Sequence, residues 1–341
     1  MKVVRFLVVF FLCSKMSGAQ AVEAPNSASP QTCAHVQAAD FTSFWSTVYG
    51  LQYLYKARAF NELDLSLSCL VSSAQSFSTG QNGSSAAYWF YRIQMPSPGV
   101  DPNESELVQA WRRSAPASIF SEFAALRLGY ANAWRIRGGA FYRDVPTEQA
   151  RQFAEKMSET AALLELATPT LKNTTLWHNL KLAVVQDDDS ADRQRASAAF
   201  EVAVTKWPRH FDFYEVAVSR LVPRWGGSWR DVDVFVRKWS TRLETSEGKS
   251  MYARLYASVL TTGGPNPSET GIDMERMDAS LHDLLRRYPA SRFIAFAASF
   301  ACFKGDKVAF RTAIERLDPT QDGPAYWIKG TAPTSCAQKL S

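Results

Sequence analysis

Apolar positions recur every three or four residues along most of this chain, the spacing that lays one oily stripe along a helix. Phe44, Val48, Leu51 and Tyr55 predict a helix over 40–57, and Asn61-Glu62-Leu63-Asp64 opens a second that reaches Ser73, so the two form an antiparallel hairpin. Residues 104–113 read as helical. Further stripes follow: Phe153, Met157, Ala161 and Leu164; Leu176, Leu180 and Val184; Ala196, Phe200 and Ala203; Tyr214, Val218 and Leu221. Beyond these come Val232, Phe235, Val236, Trp239 and Leu243; Tyr252, Leu255, Tyr256 and Val259; Met277, Leu281, Leu284 and Leu285; Phe310, Ala313, Ile314 and Leu317. No stretch alternates as a half-buried strand does. One interval, 76–103, breaks the pattern. Its Ser, Gly, Gln, Asn and Pro predict a long polar connection, with a short helix at Ala86-Ala87-Tyr88-Trp89-Phe90-Tyr91.

The joints between stripes are as regular as the stripes. In Pro223-Arg224-Trp225-Gly226-Gly227-Ser228-Trp229 the two glycines are expected to supply the left-handed backbone that stops a helix, and Ser228 to cap the next one with Asp231 three residues on. Residues 116–125 (PASIFSEFAA) match 289–298 (PASRFIAFAA). Each copy follows a helix ending in two arginines, each proline is expected at a helix's first position, and each new helix runs to glycine, Gly138-Gly139 or Gly305. A fainter copy starts at Trp207-Pro208, and Ala196, Phe200, Ala203 and Pro208 have the offsets of a tetratricopeptide second helix. The expected fold is therefore all-α: stacked antiparallel helix pairs forming a tetratricopeptide-like α-solenoid over 40–317. Residues 318–341 form a tail in which Tyr326 and Trp327 cover the last helix.

Composition refines this. Hydrophobic residues make up 46 % of the 341, enough for a sizeable core. Met1-Lys2-Val3-Val4-Arg5, the apolar run to Cys13 and Ala19-Gln20-Ala21 predict a cleaved signal peptide over 1–21, followed by a flexible segment over 22–39. No later run is apolar and long enough to span a bilayer, so the expected location is periplasmic or secreted. Loss of Lys2, Arg5 and Lys15 would take the formal charge from +5 to +2, and a balanced chain does not imply nucleic acid. Cys33, Cys69, Cys302 and Cys336 then remain, with three pairings open. Proximity favours Cys33–Cys69 and Cys302–Cys336; the alternative is that Cys69 and Cys302 are buried thiols.

His35, His178, His210 and His282 are isolated, and nucleophile elbows, phosphate loops and dinucleotide fingerprints are absent. Asp187-Asp188-Asp189 with Asp192 lacks the alternation, central glycine and terminal Glu of a calcium loop. Glu122, Asp231 and Asp233 are the acids that would have to pair in a glycan-cleaving cleft. No catalytic residue, cofactor or metal ligand is assigned. Trp134, Arg137, Arg224, Trp225 and Trp229 form an expected cation–π binding patch, although the same tryptophans would plug helix seams and the same arginines would bond helix C-terminal carbonyls.

Phe60-Asn61-Glu62-Leu63-Asp64, Tyr130 through Gly139 with Val145 behind it, Pro223-Arg224-Trp225-Gly226-Gly227-Ser228, and more weakly Phe296-Ala297 through Gly305-Asp306 resemble a bacterial family called domain of unknown function 4034. The resemblance runs from Phe41 to Leu317 and fits least over 76–103. It implies an all-helical, repeat-like domain and no established activity, so no catalytic residue is carried over. The expected function is that of an exported, non-enzymatic helical-repeat protein binding an envelope protein or peptide; the alternative is a cell-wall or glycan enzyme on an α-helical toroid with paired carboxylates.

Overall fold

The structure, a computed structural model, describes residues 43–73, 76–97, 99–187, 193–261, 266–317 and 327–340. The expected signal peptide, the 22–39 segment, Cys33, Asp188, Asp189, Asp192 and Tyr326 lie outside them. Among the described residues regular structure is helical, apart from one isolated antiparallel bridge between Ser76 and Asn82. The fold is all-α. Its first helices are α1 (Phe44–Lys56), α2 (Phe60–Ser72), α3 (Gly83–Gln94), α4 (Glu104–Ser114), α5 (Ile119–Arg137) and α6 (Thr147–Glu165). The short α7 (Pro169–Lys172), α8 (Thr175–Asp187), α9 (Arg193–Lys206), α10 (Phe211–Ser219), α11 (Trp229–Arg242) and α12 (Glu244–Glu247) follow. The last are α13 (Ser250–Leu260), α14 (Met274–Arg287), α15 (Ser291–Lys304), α16 (Lys307–Glu315) and α17 (Pro333–Lys339).

Sequential helices pack as pairs, α5 on α6, α8 on α9, α13 on α14 and α15 on α16, and the pairs stack in a solenoid-like order. Two kinds of helix result. α8, α10, α13 and α15 pack one on the next as an inner row, with α3 docked on α8. In α10 every residue from Phe211 to Val218 is buried, and in α13 every residue but Ser258. The outer α11 and α14 bury only a stripe: Val232, Val236, Trp239 and Ser240 in one, Met277, Ser280, Leu281 and Leu284 in the other. A helix apolar on one face needs one neighbour; a helix apolar all round must be covered on every side. Each large apolar side chain so buried contributes about 1.5–3 kcal/mol, which isolated pairs of this length would forgo.

Caps fix the starts. Ser43 and Ser46 form a capping box on α1, and Ser118 accepts the Phe120 and Ser121 N–H groups at the start of α5. The Ser228 hydroxyl accepts the Asp231 N–H at 3.1 Å and donates to its carboxylate at 2.7 Å. The prolines of the repeat act differently from expectation. Pro116 stands two residues before the cap Ser118, and Pro289 stands just before the cap Ala290. Each instead ends the preceding helix: Ala115 (φ −133°, ψ 70°) and Tyr288 (φ −135°, ψ 76°) are both pushed off helical geometry by the ring that follows.

The glycines also divide. Gly138 (φ +71°) caps α5 and Gly305 (φ +76°) caps α15. Gly226 (φ +90°) closes the 3₁₀ turn Pro223–Trp225 rather than an α-helix, because α10 has already ended at Ser219. Gly139 and Gly227 are not among the left-handed residues. Gly227 is needed for space: a Cβ there would stand 2.0 Å from the Leu221 carbonyl oxygen.

In the 76–103 interval the helix expected at 86–91 is present, but it is longer and more deeply buried than a short helix in a polar connection would be. α3 spans twelve residues, and eight of them, including Ala86, Ala87, Phe90 and Tyr91, are buried. The tail is not wholly irregular either. It carries α17, pinned by a disulfide between Cys302 and Cys336 (Cα–Cα 5.8 Å) beside Phe310, Ala313 and Trp327. Cys69 is disulfide-bonded as well; Cys33, the partner expected for it, lies outside the described residues.

Candidate functional site

Four of the five patch residues come together where the end of α5 meets the Pro223–Trp225 turn. The Trp134 and Trp225 rings meet edge to face at 5.3 Å, and Phe153 of α6 meets Trp134 in the same manner at 5.4 Å. The Arg137 guanidinium lies over Trp134 at 5.0 Å and over Trp225 at 5.1 Å. Arg224 lies over Trp225 at 5.2 Å and over Phe141 at 5.5 Å. Arg220 joins them, over Trp134 at 4.9 Å and Trp225 at 5.5 Å, while it donates to the Tyr130 hydroxyl at 2.8 Å. Trp229 stays apart: it packs on the core from the first turn of α11 and makes none of these ring contacts among the described residues.

These groups do two things at once. Arg137 donates to the Ala140 carbonyl at 3.1 Å and Arg224 to the Gly139 carbonyl at 2.6 Å, so both arginines hold the loop that leaves α5. They also leave a pocket of about 370 Å³ lined by Trp134, Arg137, Phe153, Gln186, Arg220 and Trp225, with Arg143 among the further lining residues. Trp134 and Arg137 are buried beneath it, Trp225 is half-buried, and Arg224 is exposed. The stacking makes the walls stiff, each cation–π contact being worth about 0.5–2 kcal/mol according to its burial. A cleft of this size, walled by aromatic rings, is large enough for a side chain or a small group.

A second polar assembly sits in the core. The turn Phe77–Gln81 closes on itself through Phe77 N–H to Gln81 O and Gly80 N–H to Phe77 O, both 2.8 Å, and its tip is buried against the inner row. Arg254 of α13 donates to the Thr79 carbonyl at 2.8 Å. Asp212 of α10 accepts from the Gln81 amide at 3.1 Å and the Trp89 indole at 2.8 Å. Arg254 is fully buried, over Phe211 at 4.1 Å and over Tyr288 and Phe293 at 4.7 Å each. Burial, with Arg292 nearby, pushes its pKa down to about 10, which still leaves a cation at neutral pH. Burial likewise raises the Glu215 carboxyl above the usual range, against the pull of Arg292 at 3.8 Å, and lowers His210. The polarity of 76–82 was legible in sequence; its burial was not, because the partners stand more than a hundred residues away.

The acids considered for glycan chemistry are engaged elsewhere. Glu122 accepts the Thr168 N–H at 2.9 Å and its hydroxyl at 2.7 Å, Asp231 takes part in the α11 cap, and Asp233 accepts from Arg237 at 2.7 Å and Tyr256 at 2.8 Å. No group of three or more His, Cys, Asp or Glu placed to hold a metal occurs among the described residues, and no described helix is long and apolar enough to cross a membrane. The chain matches no family model, no curated protein and no solved structure.

Proposed function

We propose that this chain is a binding scaffold of the bacterial cell envelope, exported and non-enzymatic, that takes a segment of another protein or a peptide at the Trp134–Trp225 pocket. In this reading it stands with the domain of unknown function 4034 proteins, through the Pro223–Ser228 block that builds one wall of the pocket. The observation that carries the proposal is a cleft of about 370 Å³ at a helix seam, walled by three aromatic rings and by guanidinium groups. The Cys302–Cys336 disulfide supports an oxidising compartment.

The test compares the wild-type chain with Trp225→Ala as baits in envelope extract, each first shown to melt cooperatively. A partner retained at least tenfold better by wild type is the expected result, since a buried aromatic anchor at an interface contributes about 2 kcal/mol or more. Equal capture by both baits would remove the pocket from the proposal, and no saturable partner for either would remove the scaffold reading.

A further inference from the structure

Guanidinium groups crowd one corner of the Trp134–Trp225 pocket. Those of Arg137, Arg220 and Arg224 lie 5.1, 5.5 and 5.2 Å from the centre of the Trp225 ring. No two of them therefore stand more than about 11 Å apart, close to the screening length at 0.1 M salt. Arg143 brings a fourth to the lining. Like charges at that separation repel one another, the more so where rings displace water. Stacking on a ring holds a guanidinium in place but removes none of its charge. Two acids stand close by: Asp144 lies 3.7 Å from Arg143, and Asp187 ends α8 one position beyond Gln186.

The opposite need arises on the α8 wall. Gln186 lines the same cleft, and its Oε1 is buried without a hydrogen-bond partner among the described residues. A buried acceptor left bare is unfavourable until a guest brings it a donor. A cleft that sets a bare acceptor beside a bank of cationic donors fits a guest with an N–H beside an anion. The last residue of a polypeptide is such a guest, since its N–H and its carboxylate share one Cα. A peptide bond within a chain offers only neutral oxygens, and a phosphate ester brings no N–H. The space of about 370 Å³ is that of a small-ligand pocket, so it admits a chain end and not a folded segment.

We propose that the pocket captures the C-terminal residue of a partner chain. The guanidinium groups of Arg137, Arg143 and Arg220 take its carboxylate in charge-assisted bonds, Gln186 Oε1 accepts its N–H, and a bulky apolar side chain lies against Trp134 and Phe153. The inference rests on the scaffold reading given above and specifies the guest of that same site.

The experiment titrates the full chain calorimetrically with N-acetyl-Ala-Leu-Phe, once as the free acid and once as the carboxamide. The acid should bind at least tenfold more tightly than the amide. Arg143→Gln, at a side chain already mostly exposed, should cut that preference at least threefold. Gln186→Met should weaken acid and amide alike, by threefold or more. Equal affinity for acid and amide overturns the proposal while leaving the pocket a peptide site. A preference kept in full by Arg143→Gln, or no loss in Gln186→Met, also overturns it. So does tight binding of N-acetyl-Ala-Glu-Phe-Ala amide, which would assign the arginines to acidic side chains within a chain. If none of these peptides binds, the terminal-carboxylate assignment falls, and the capture comparison with Trp225→Ala judges the scaffold reading by itself.

Discussion

Gly226 and Gly227 are neighbours that answer to different forces. Gly226 has a left-handed φ of +90° and nothing within 4 Å of a built Cβ, so only its backbone is special. Gly226→Ala should therefore cost about 1–2 kcal/mol, and Gly226→Asn less, because Asn tolerates that region. Gly227 lies outside that region but has a carbonyl oxygen where its Cβ would go. Gly227→Ala has to move backbone and should cost more than Gly226→Ala, about 3 kcal/mol or above. Thermal melting of the two variants checks the order; the reverse order would mean that the turn is held by dihedral preference alone. The same limit governed the binding patch. Trp134, Arg137, Arg224 and Trp225 stand beside glycine joints, and that local signal marked them. Arg220 carried no such mark, because it reaches the rings from the C-cap of α10. Trp229 shared the motif but packs on the core, and a distance of four residues from Trp225 does not say on which side a ring lands.

At the scale of elements, periodicity revealed the amphipathic helices well. α11 and α14 show a stripe that any neighbour can cover, and their spans agree with the spacing of Val232, Val236 and Trp239 and of Met277, Leu281 and Leu284. It found only the middle of α3, at 86–91, because the helix opens with Gly83, Ser84 and Ser85, all buried, whose small polar side chains read as loop while they serve close packing. A Cβ on Gly83 would meet the Leu70 carbonyl oxygen at 2.2 Å, which shows how near α2 approaches. α17 was hidden because seven residues carry too little pattern, and covalent attachment holds it instead. The Cys302–Cys336 link closes a loop of 34 residues, for which the chain-entropy account gives about 3–4 kcal/mol. The double variant Cys302→Ser/Cys336→Ser should lose that much in denaturant midpoint multiplied by slope. Limited proteolysis should then cut first between 327 and 340, and unchanged resistance there would show that packing by Trp327 and Leu340 suffices without the bond.

For the whole molecule, an ideal stack of helix pairs has stability that is a sum over neighbours and can open from either end. The buried turn departs from that picture. Gln81 meets Asp212 across 131 positions of chain, and Arg254 meets Thr79 across 175. Native-state hydrogen exchange should accordingly show α3, α10 and α13 as one slow, cooperative unit and α16 with α17 as a faster one; a smooth gradient from end to end would indicate a plain solenoid. Stacking was legible from repeated joints, since each joint is local. The closure was not, because no periodicity in 76–82 encodes a partner so remote. Those two spans also have a temporal meaning. A ribosome delivers residues 76–82 well before their seat exists, and contacts of such high sequence separation slow the search for the native state. The early helices therefore gain these contacts only once α13 is present, whereas each pair in a simple array of hairpins is complete as soon as its second helix is made.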